Sequence, residues 1–181
     1  MSGNQGGEPP VQAKSVAYSR VTMSHMMLPQ DANPAGIVHG GVVMKHIDDA
    51  AGVVALRHTR GNVVTASIDR LDFHNPAFIG NLLSLKASLN MVGTTSMEVG
   101  VRVETEDLRT GEIRHTASAY LTFVALDEHF RPRPVPPLTL ESAEDQRRNR
   151  QAQSRRRVRL AEKTNETSCR TDPQTCHLAP E

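Results

Sequence analysis

The sequence predicts an α+β domain, in which one antiparallel sheet of five to six strands wraps around a single long central helix. Three observations predict it. The Pro-free stretch from His39 to Thr59 is apolar over most of its helical circumference. Four runs that follow it have strand character, and period-two alternation is long and clean in three of them. The junctions between these runs are short and carry turn residues, Gly93 in one and Leu108-Arg109-Thr110-Gly111 in another. A single antiparallel sheet with one buried face needs a cover, and that helix is the only segment able to supply it.

Taken in order, Val16 to Met27 reads as a first strand. Leu28 to Val38 holds Pro29, Asp31, Asn33, Pro34 and Gly36, a density of turn formers that makes it a loop. In the helix, Val42, Val43, Met44, Ile47, Ala50, Ala51, Val53, Val54 and Leu56 leave little polar surface, so burial on nearly all sides is expected. One sheet face cannot cover that much, and the surplus points to a second copy related by symmetry. Asn62 to His74 sets Val64, Ala66 and Ile68 against Thr65, Ser67 and Asp69. Asn81 to Val92, Thr95 to Thr105 and Ile113 to Ala125 alternate in the same way. Pro132, Pro134, Pro136 and Pro137 end the last strand. Glu141 to Lys163 is polar on every face and reads as a solvent-exposed helix. The expected organisation is a disordered tail at 1–14, the domain at 15–137, a polar helical extension at 138–163 and a disordered tail at 164–181.

Aromatic residues are only 3% of the chain and Trp is absent, so aliphatic packing must build the core. The net charge of +1 gives no bias toward nucleic acid. Arg155-Arg156-Arg157 lies among Glu141, Glu144, Asp145 and Glu162 with no interleaved aromatics, which reads as a solvated face rather than a nucleic-acid patch. No apolar run approaches the roughly 18 residues a bilayer requires. The N-terminus lacks the basic start and apolar core of a signal peptide, so a cytoplasmic location is expected. Cys169 and Cys176 both lie in the polar tail, so no disulfide framework is expected. Cys176-His177 supplies too few ligands for a metal site.

The chemistry-bearing stretch is Asp31 to Gly52, DANPAGIVHGGVVMKHIDDAAG. Gly40 and Gly41 open the helix, where backbone N–H groups lack intrahelical partners and the dipole adds partial positive charge. Such donors can hold an oxyanion; equally, two glycines can serve close packing of helix on sheet. Asp48 places a carboxylate in an apolar helix, which calls for a partner or a task. It lies two turns past Gly41 on the same face, about 10 Å along the axis. That is too far for both to serve one reacting carbonyl from one chain. Two helices packed antiparallel across a dimer axis would bring them together.

The pattern Asp31, Asn33, Gly36, Gly40, Gly41 and Asp48 resembles the signature of hotdog-fold acyl-CoA thioesterases, in particular the cytosolic acyl-CoA hydrolase group with its bacterial homologues. Gly93 to Val103 (GTTSMEVGVRV) and Val64 to Asn81 are weaker matches that add to it. The similarity spans roughly Met23 to Pro137. It implies the hotdog fold and hydrolysis of acyl-CoA to free acid and coenzyme A. It implies no cofactor, coenzyme A being part of the substrate and product. The resemblance also implies a site shared across a subunit interface, Asn33 from one chain and Asp48 from the other, in a homodimer or a hexamer of three dimers. Asp48 is then the general base, or a nucleophile that forms a mixed anhydride. His39, His74, Thr94, Thr95 and Ser96 are candidates for substrate or coenzyme A contact. Turn chemistry accounts for Asn33 and for Thr94 to Ser96 as well, and a strand cap for His74. Two other functions on this fold are an acyl-thioester hydratase or dehydratase and a non-catalytic acyl-CoA sensor. The hydratase calls for a paired His and acid, of which His74-Asn75-Pro76 is a faint echo. The sensor calls for loss of the helix acid, and Asp48 is present.

Overall fold

The computed structural model describes residues 12–171. Its elements are β1 (Lys14–Ser15), α1 (Val16–Ser19), β2 (Val21–Met26), α2 (Gly40–Thr59), β3 (Val63–Phe73), β4 (Leu82–Val92), β5 (Ser96–Asp107), β6 (Glu112–Ala125), β7 (Leu138–Thr139) and α3 (Ala143–Thr171). Five strands form an antiparallel sheet in the order β2-β4-β5-β6-β3. It wraps α2 as the hotdog architecture requires.

The alternation along β4, β5 and β6 decides which side of the sheet meets α2. Leu83, Leu85, Ala87 and Leu89, then Met97, Val99, Val101 and Val103, then Ala117, Ala119, Leu121 and Phe123 are all buried. They form one cluster with Val43, Ile47, Ala50, Ala51, Val54 and Ala55 of α2. The three alanines let the helix axis lie close to the sheet. Within the single chain the opposite side of α2 stays open, with Met44 40% and Leu56 47% exposed. On the edge strand β3, Val64 and Ile68 are 45% and 42% exposed. Burial of α2 on nearly all sides therefore does not occur within one copy.

Several expectations are corrected. Val16 to Met27 is not one strand: Val16–Ser19 forms a helical turn, and β2 begins at Val21. Lys14 and Ser15 pair in parallel with Leu138 and Thr139, so ordered chain begins before residue 15. The alternation expected in β3 is broken by register shifts between Thr65 and Ser67 and between Ile68 and Arg70. The expected N-terminal tail up to residue 11, and Cys176 with His177, lie outside the described residues. The helix α3 continues past Lys163 to Thr171.

The polar helix α3 is not free in solvent. It lies on the outer face of the sheet, which is itself polar, so the two surfaces meet through hydrogen bonds instead of apolar contact. Arg155 grips the buried Glu98 with Nε and Nη2, at 3.1 and 2.6 Å. Its guanidinium also stacks 3.7 Å over the Tyr120 ring. Asn90 donates to the same carboxylate at 3.0 Å. Arg159 pairs with Asp69 on β3, and Arg148 donates to Ser88 on β4. Ala152 of the same helix is fully buried. The reading of Arg155 as solvated fails because period-based patterning detects apolar faces and misses polar ones that find partners.

The end of α2 is fixed by the N-terminal segment. Arg60 adopts a left-handed conformation with φ 52° and donates its N–H to Leu56 O, closing the helix. Its guanidinium donates to the Tyr18 hydroxyl. His58, buried, meets Pro136 O through Nε2 at 2.8 Å, and its carbonyl accepts from Lys14.

Two predictions follow from this packing. Arg155→Ala strands the Glu98 carboxylate, which is only 1% exposed. Urea unfolding should show a loss of about 3–5 kcal/mol, the range for a buried charge that loses its partner; a loss under about 1 kcal/mol would match an exposed pair instead. The second concerns acid. Burial holds the His58 imidazole below its ordinary value, opposed by the Pro136 carbonyl. The unfolded chain therefore takes up a proton near pH 6.5 that the folded chain accepts only at lower pH. The stability due to neutral His58 is complete above that value and declines as the pH falls through it. The melting temperature of wild type should drop more steeply from about pH 7 to about pH 5 than that of His58→Gln, which keeps an N–H for Pro136. Parallel curves would exclude His58 as the source.

Candidate active site

The loop before α2 is folded around two side chains of the Asp-x-Asn motif. Asp31 Oδ2 accepts from Leu28 N at 2.7 Å and closes a single 3-10 turn over Pro29–Asp31. Asn33 Oδ1 accepts from Ala35 N at 2.9 Å and from Ile37 N at 3.3 Å. Gly36 takes φ +78°, a conformation that favours glycine, and the chain then returns so that Ala32 and Val38 bridge. The turn-forming reading of Asn33 is thus realised by its oxygen. Its side-chain NH2 group has no partner among the described residues and remains available to a ligand.

His39 joins this loop to the helix. Its N–H donates to Asp31 O at 2.8 Å, and its carbonyl accepts from Val42 and Val43. Its ring caps the helix, with Nδ1 accepting from Gly41 N–H at 2.9 Å. Accepting that bond requires an unprotonated Nδ1. The Gly40 amide makes no hydrogen bond among the described residues. The two candidate oxyanion donors therefore differ: Gly40 is open, and Gly41 is occupied by the protein's own imidazole. The far end of β3 meets the helix here, since a Cβ at Gly40 would lie 3.6 Å from Phe73 Cζ.

Asp48 lies two helical turns on and is half-buried. Its Oδ1 accepts from Thr65 Oγ1 at 2.7 Å, and Oδ2 has no donor among the described residues. Asp49 is exposed and faces Lys45 at 3.8 Å. His46 stacks on His25 of β2 with ring centroids 4.0 Å apart. Burial is the main influence that holds the His46 imidazole below its ordinary value, with His25 adding to it. Thr65 is the residue that sequence reasoning missed. A threonine on the polar side of a strand is common, and nothing in the linear pattern marks its contact with a carboxylate on another element.

The remaining candidates fall at two ends of the molecule. His74 follows β3 at the glycine end of α2; its N–H donates to Thr116 O, and its ring tilts against His115 at 4.6 Å. Thr94, Thr95 and Ser96 turn between β4 and β5 at the other end of the sheet, where Ser96 pairs with Val124 and Val63 with Ala125. Their carbonyls are engaged structurally: Thr94 O accepts from Val135, Thr95 O from Ala125 and Ser96 O from Gly93. A single copy thus groups Asn33, His39, Gly40, Gly41 and His74 near the helix start. It sets Asp48 with Thr65 farther along, and Thr94 to Ser96 at the far end.

Comparison with known proteins fits this geometry. Residues 35–112 match the family model described as Thioesterase superfamily. An uncharacterized acyl-CoA thioester hydrolase of Bacillus subtilis is 42% identical over 127 residues, covering 70% of this chain and 74% of that protein. The mouse cytosolic acyl coenzyme A thioester hydrolase is 34% identical over 146 residues, which is 80% of this chain but 38% of the relative, so the chain spans well under half of that protein's length. Among solved structures, an apo-hexameric acyl-CoA thioesterase superimposes with a TM-score of 0.81 at 39% identity, covering 84% of this chain and 97% of the other. The Staphylococcus aureus acyl-CoA hydrolase, solved in complex with butyryl coenzyme A and coenzyme A, gives 0.80 at 33% identity, covering 86% and 95%. Variants of that enzyme with an aspartate, an asparagine or a threonine replaced by alanine are equally similar. By fold, by motif and by sequence similarity across the domain, the chain belongs to the acyl-CoA thioester hydrolases of the thioesterase superfamily.

Proposed function

We propose that this protein hydrolyses acyl-CoA thioesters to free acid and coenzyme A, in a site completed between two copies. The observation that carries the reading is the pair formed by Asp48, bonded by Thr65 through one carboxylate oxygen, and the Gly40 amide at the start of the same helix; the second oxygen and that amide have no partner among the described residues. The family supplies the substrate class. The aspartate, asparagine and threonine replaced in the S. aureus hydrolase are spaced along that chain as Asp48, Asn33 and Thr65 are spaced here. That correspondence supports a shared role for the three.

Asp48 and Gly40 are about two helical turns apart in one copy. Two α2 helices packed antiparallel remove the gap, setting Asp48 of one protomer against the glycine end of its partner. The open side of α2, with Met44 and Leu56, and the unpaired edge of β3, with Val64 and Ile68, supply an apolar surface for that pairing. The related hexameric structure supports further assembly of dimers. The relatives named cytosolic support a cytoplasmic setting.

In this site Asp48 takes a proton from water as the water attacks the thioester carbonyl. The oxygen of that carbonyl gains negative charge and is held by the helix-start amides. The Asn33 NH2 group orients the water or the carbonyl. The tetrahedral intermediate collapses by breaking the C–S bond. Coenzyme A leaves as a thiolate, whose conjugate acid is acidic enough that no protein acid has to protonate the sulfur first. Direct attack by Asp48 through a mixed anhydride is the alternative. A single turnover in 18O water separates the two, because only the anhydride route can place label in the Asp48 carboxylate.

The primary test follows free thiol from a panel of acyl-CoAs from acetyl to palmitoyl. Wild type should release thiol, and Asp48→Ala should lose about a hundredfold or more with its oligomeric state intact. Thr65→Val should lose about tenfold, since it removes one hydrogen bond to the charged group. A near-normal rate in Asp48→Ala would remove Asp48 from the mechanism. Ile68→Lys tests the shared site: light scattering should show dissociated protomers, and turnover should vanish although Asp48, Gly40 and Gly41 are all present. An active monomer would exclude a site that spans two copies.

A further inference from the structure

We propose that His39 gates the oxyanion donors: in the free protein its ring occupies the Gly41 amide, and the thioester oxygen must displace it to gain the second N–H. This inference rests on the reading of Gly40 and Gly41 as the oxyanion hole.

Three observations lead to it. The Gly41 N–H already donates to His39 Nδ1 at 2.9 Å, and one N–H serves one strong acceptor at a time. A Cβ at Gly41 would lie 3.0 Å from Nδ1 and 3.2 Å from Cε1 of the same ring, so any other residue at 41 would crowd the imidazole by a few tenths of an ångström. Gly40 meets no such restriction, its nearest neighbour standing at an ordinary 3.6 Å. The second glycine is thus fitted to the ring. Finally, the ring is held lightly. His39 is exposed, its backbone is fixed by Asp31, Val42 and Val43, and the bond to Gly41 is the only hydrogen bond its side chain makes among the described residues. Rotation about the side chain releases the amide without disturbing the helix start.

The device has a simple logic. Left open, two adjacent amides at a helix start would attract water or any anion. With the ring in place, the capping need of the helix is met in the free protein, and Gly40 alone greets the incoming carbonyl. As charge builds on the oxygen, it outcompetes a neutral imidazole for Gly41. His39 is therefore a positioning residue that acts through Gly41, and its removal should favour the reaction even as it weakens the fold.

The test compares kcat/KM and melting temperature in His39→Ala and His39→Asn, the second of which restores a side-chain acceptor at the helix cap. His39→Ala should raise kcat/KM by about fivefold, the factor that corresponds to a capping bond of ordinary strength. Its melting temperature should fall, and His39→Asn should return both quantities toward wild type. A purely structural cap would move the melting temperature and leave kcat/KM alone, and a direct substrate contact would lower kcat/KM; either result overturns the gate. A crystal structure with an acyl-CoA ketone analogue, in which a methylene replaces the sulfur, reports on the ring directly. The ring should leave Gly41 with the analogue and remain with coenzyme A alone; a ring still bonded to Gly41 beside the analogue's carbonyl overturns the proposal. Absence of thiol release from wild type would instead defeat the thioesterase reading on which the gate depends.

Discussion

The contact between the alanine-rich side of α2 and the inner face of the sheet is what the rest of the structure depends on. Ala50, Ala51 and Ala55 are fully buried, and small side chains there let a helix pass close beneath five strands. A larger residue at any of these positions would lift α2 and strain the packing of Leu85, Leu89, Val99 and Leu121. Because α2 is held along its length, its first turn stands at a fixed place beside the end of β3. Its ninth residue, Asp48, stands half-buried beside Thr65 of the edge strand β3, and its tenth, Asp49, is exposed. The carboxylate and the glycine amides are therefore placed by core packing and not by the loop that precedes them.

The two faces of the sheet obey different rules. The inner face is aliphatic and could be recognised from alternation alone. The outer face carries Asn90, Glu98 and Thr122, all buried, and the half-buried Asp69, which pairs with Arg159 of α3. Covering these groups with a polar helix satisfies them one by one, as a buried charge requires. The arrangement is specific in a way an apolar contact is not. Arg155 has one carboxylate, one aromatic face and one register along β5 that suit it.

How much was legible in the sequence follows from these physical differences. The core strands β4, β5 and β6 and the helix α2 were readable because burial on one face imposes a period that composition cannot hide. The glycine pair, Asn33 and Asp48 stood out as candidates because the motif keeps them at fixed spacing. The first strand was misjudged at its start: Val16–Ser19 is one helical turn whose burial comes from packing on α2, which no local pattern encodes. The docking of α3 and the contact of Thr65 with Asp48 were invisible for one shared reason. Each is a polar pairing between elements distant in sequence, and polar residues look alike whether they meet water or one another. The cap made by His39 was hidden differently, since histidine is not among the residues that usually mark a helix start.

Asp69 ties these layers together. It sits on β3 four residues beyond Thr65, accepts from Ser67 and Thr122, and is held from above by Arg159 of α3. Edge strands with irregular pairing are prone to slip, and a slip of one residue turns every side chain to the opposite face. On β3 that slip would carry Thr65 away from α2 and leave Asp48 unoriented. The distal helix thus acts as a register lock on the strand whose Thr65 holds the Asp48 carboxylate.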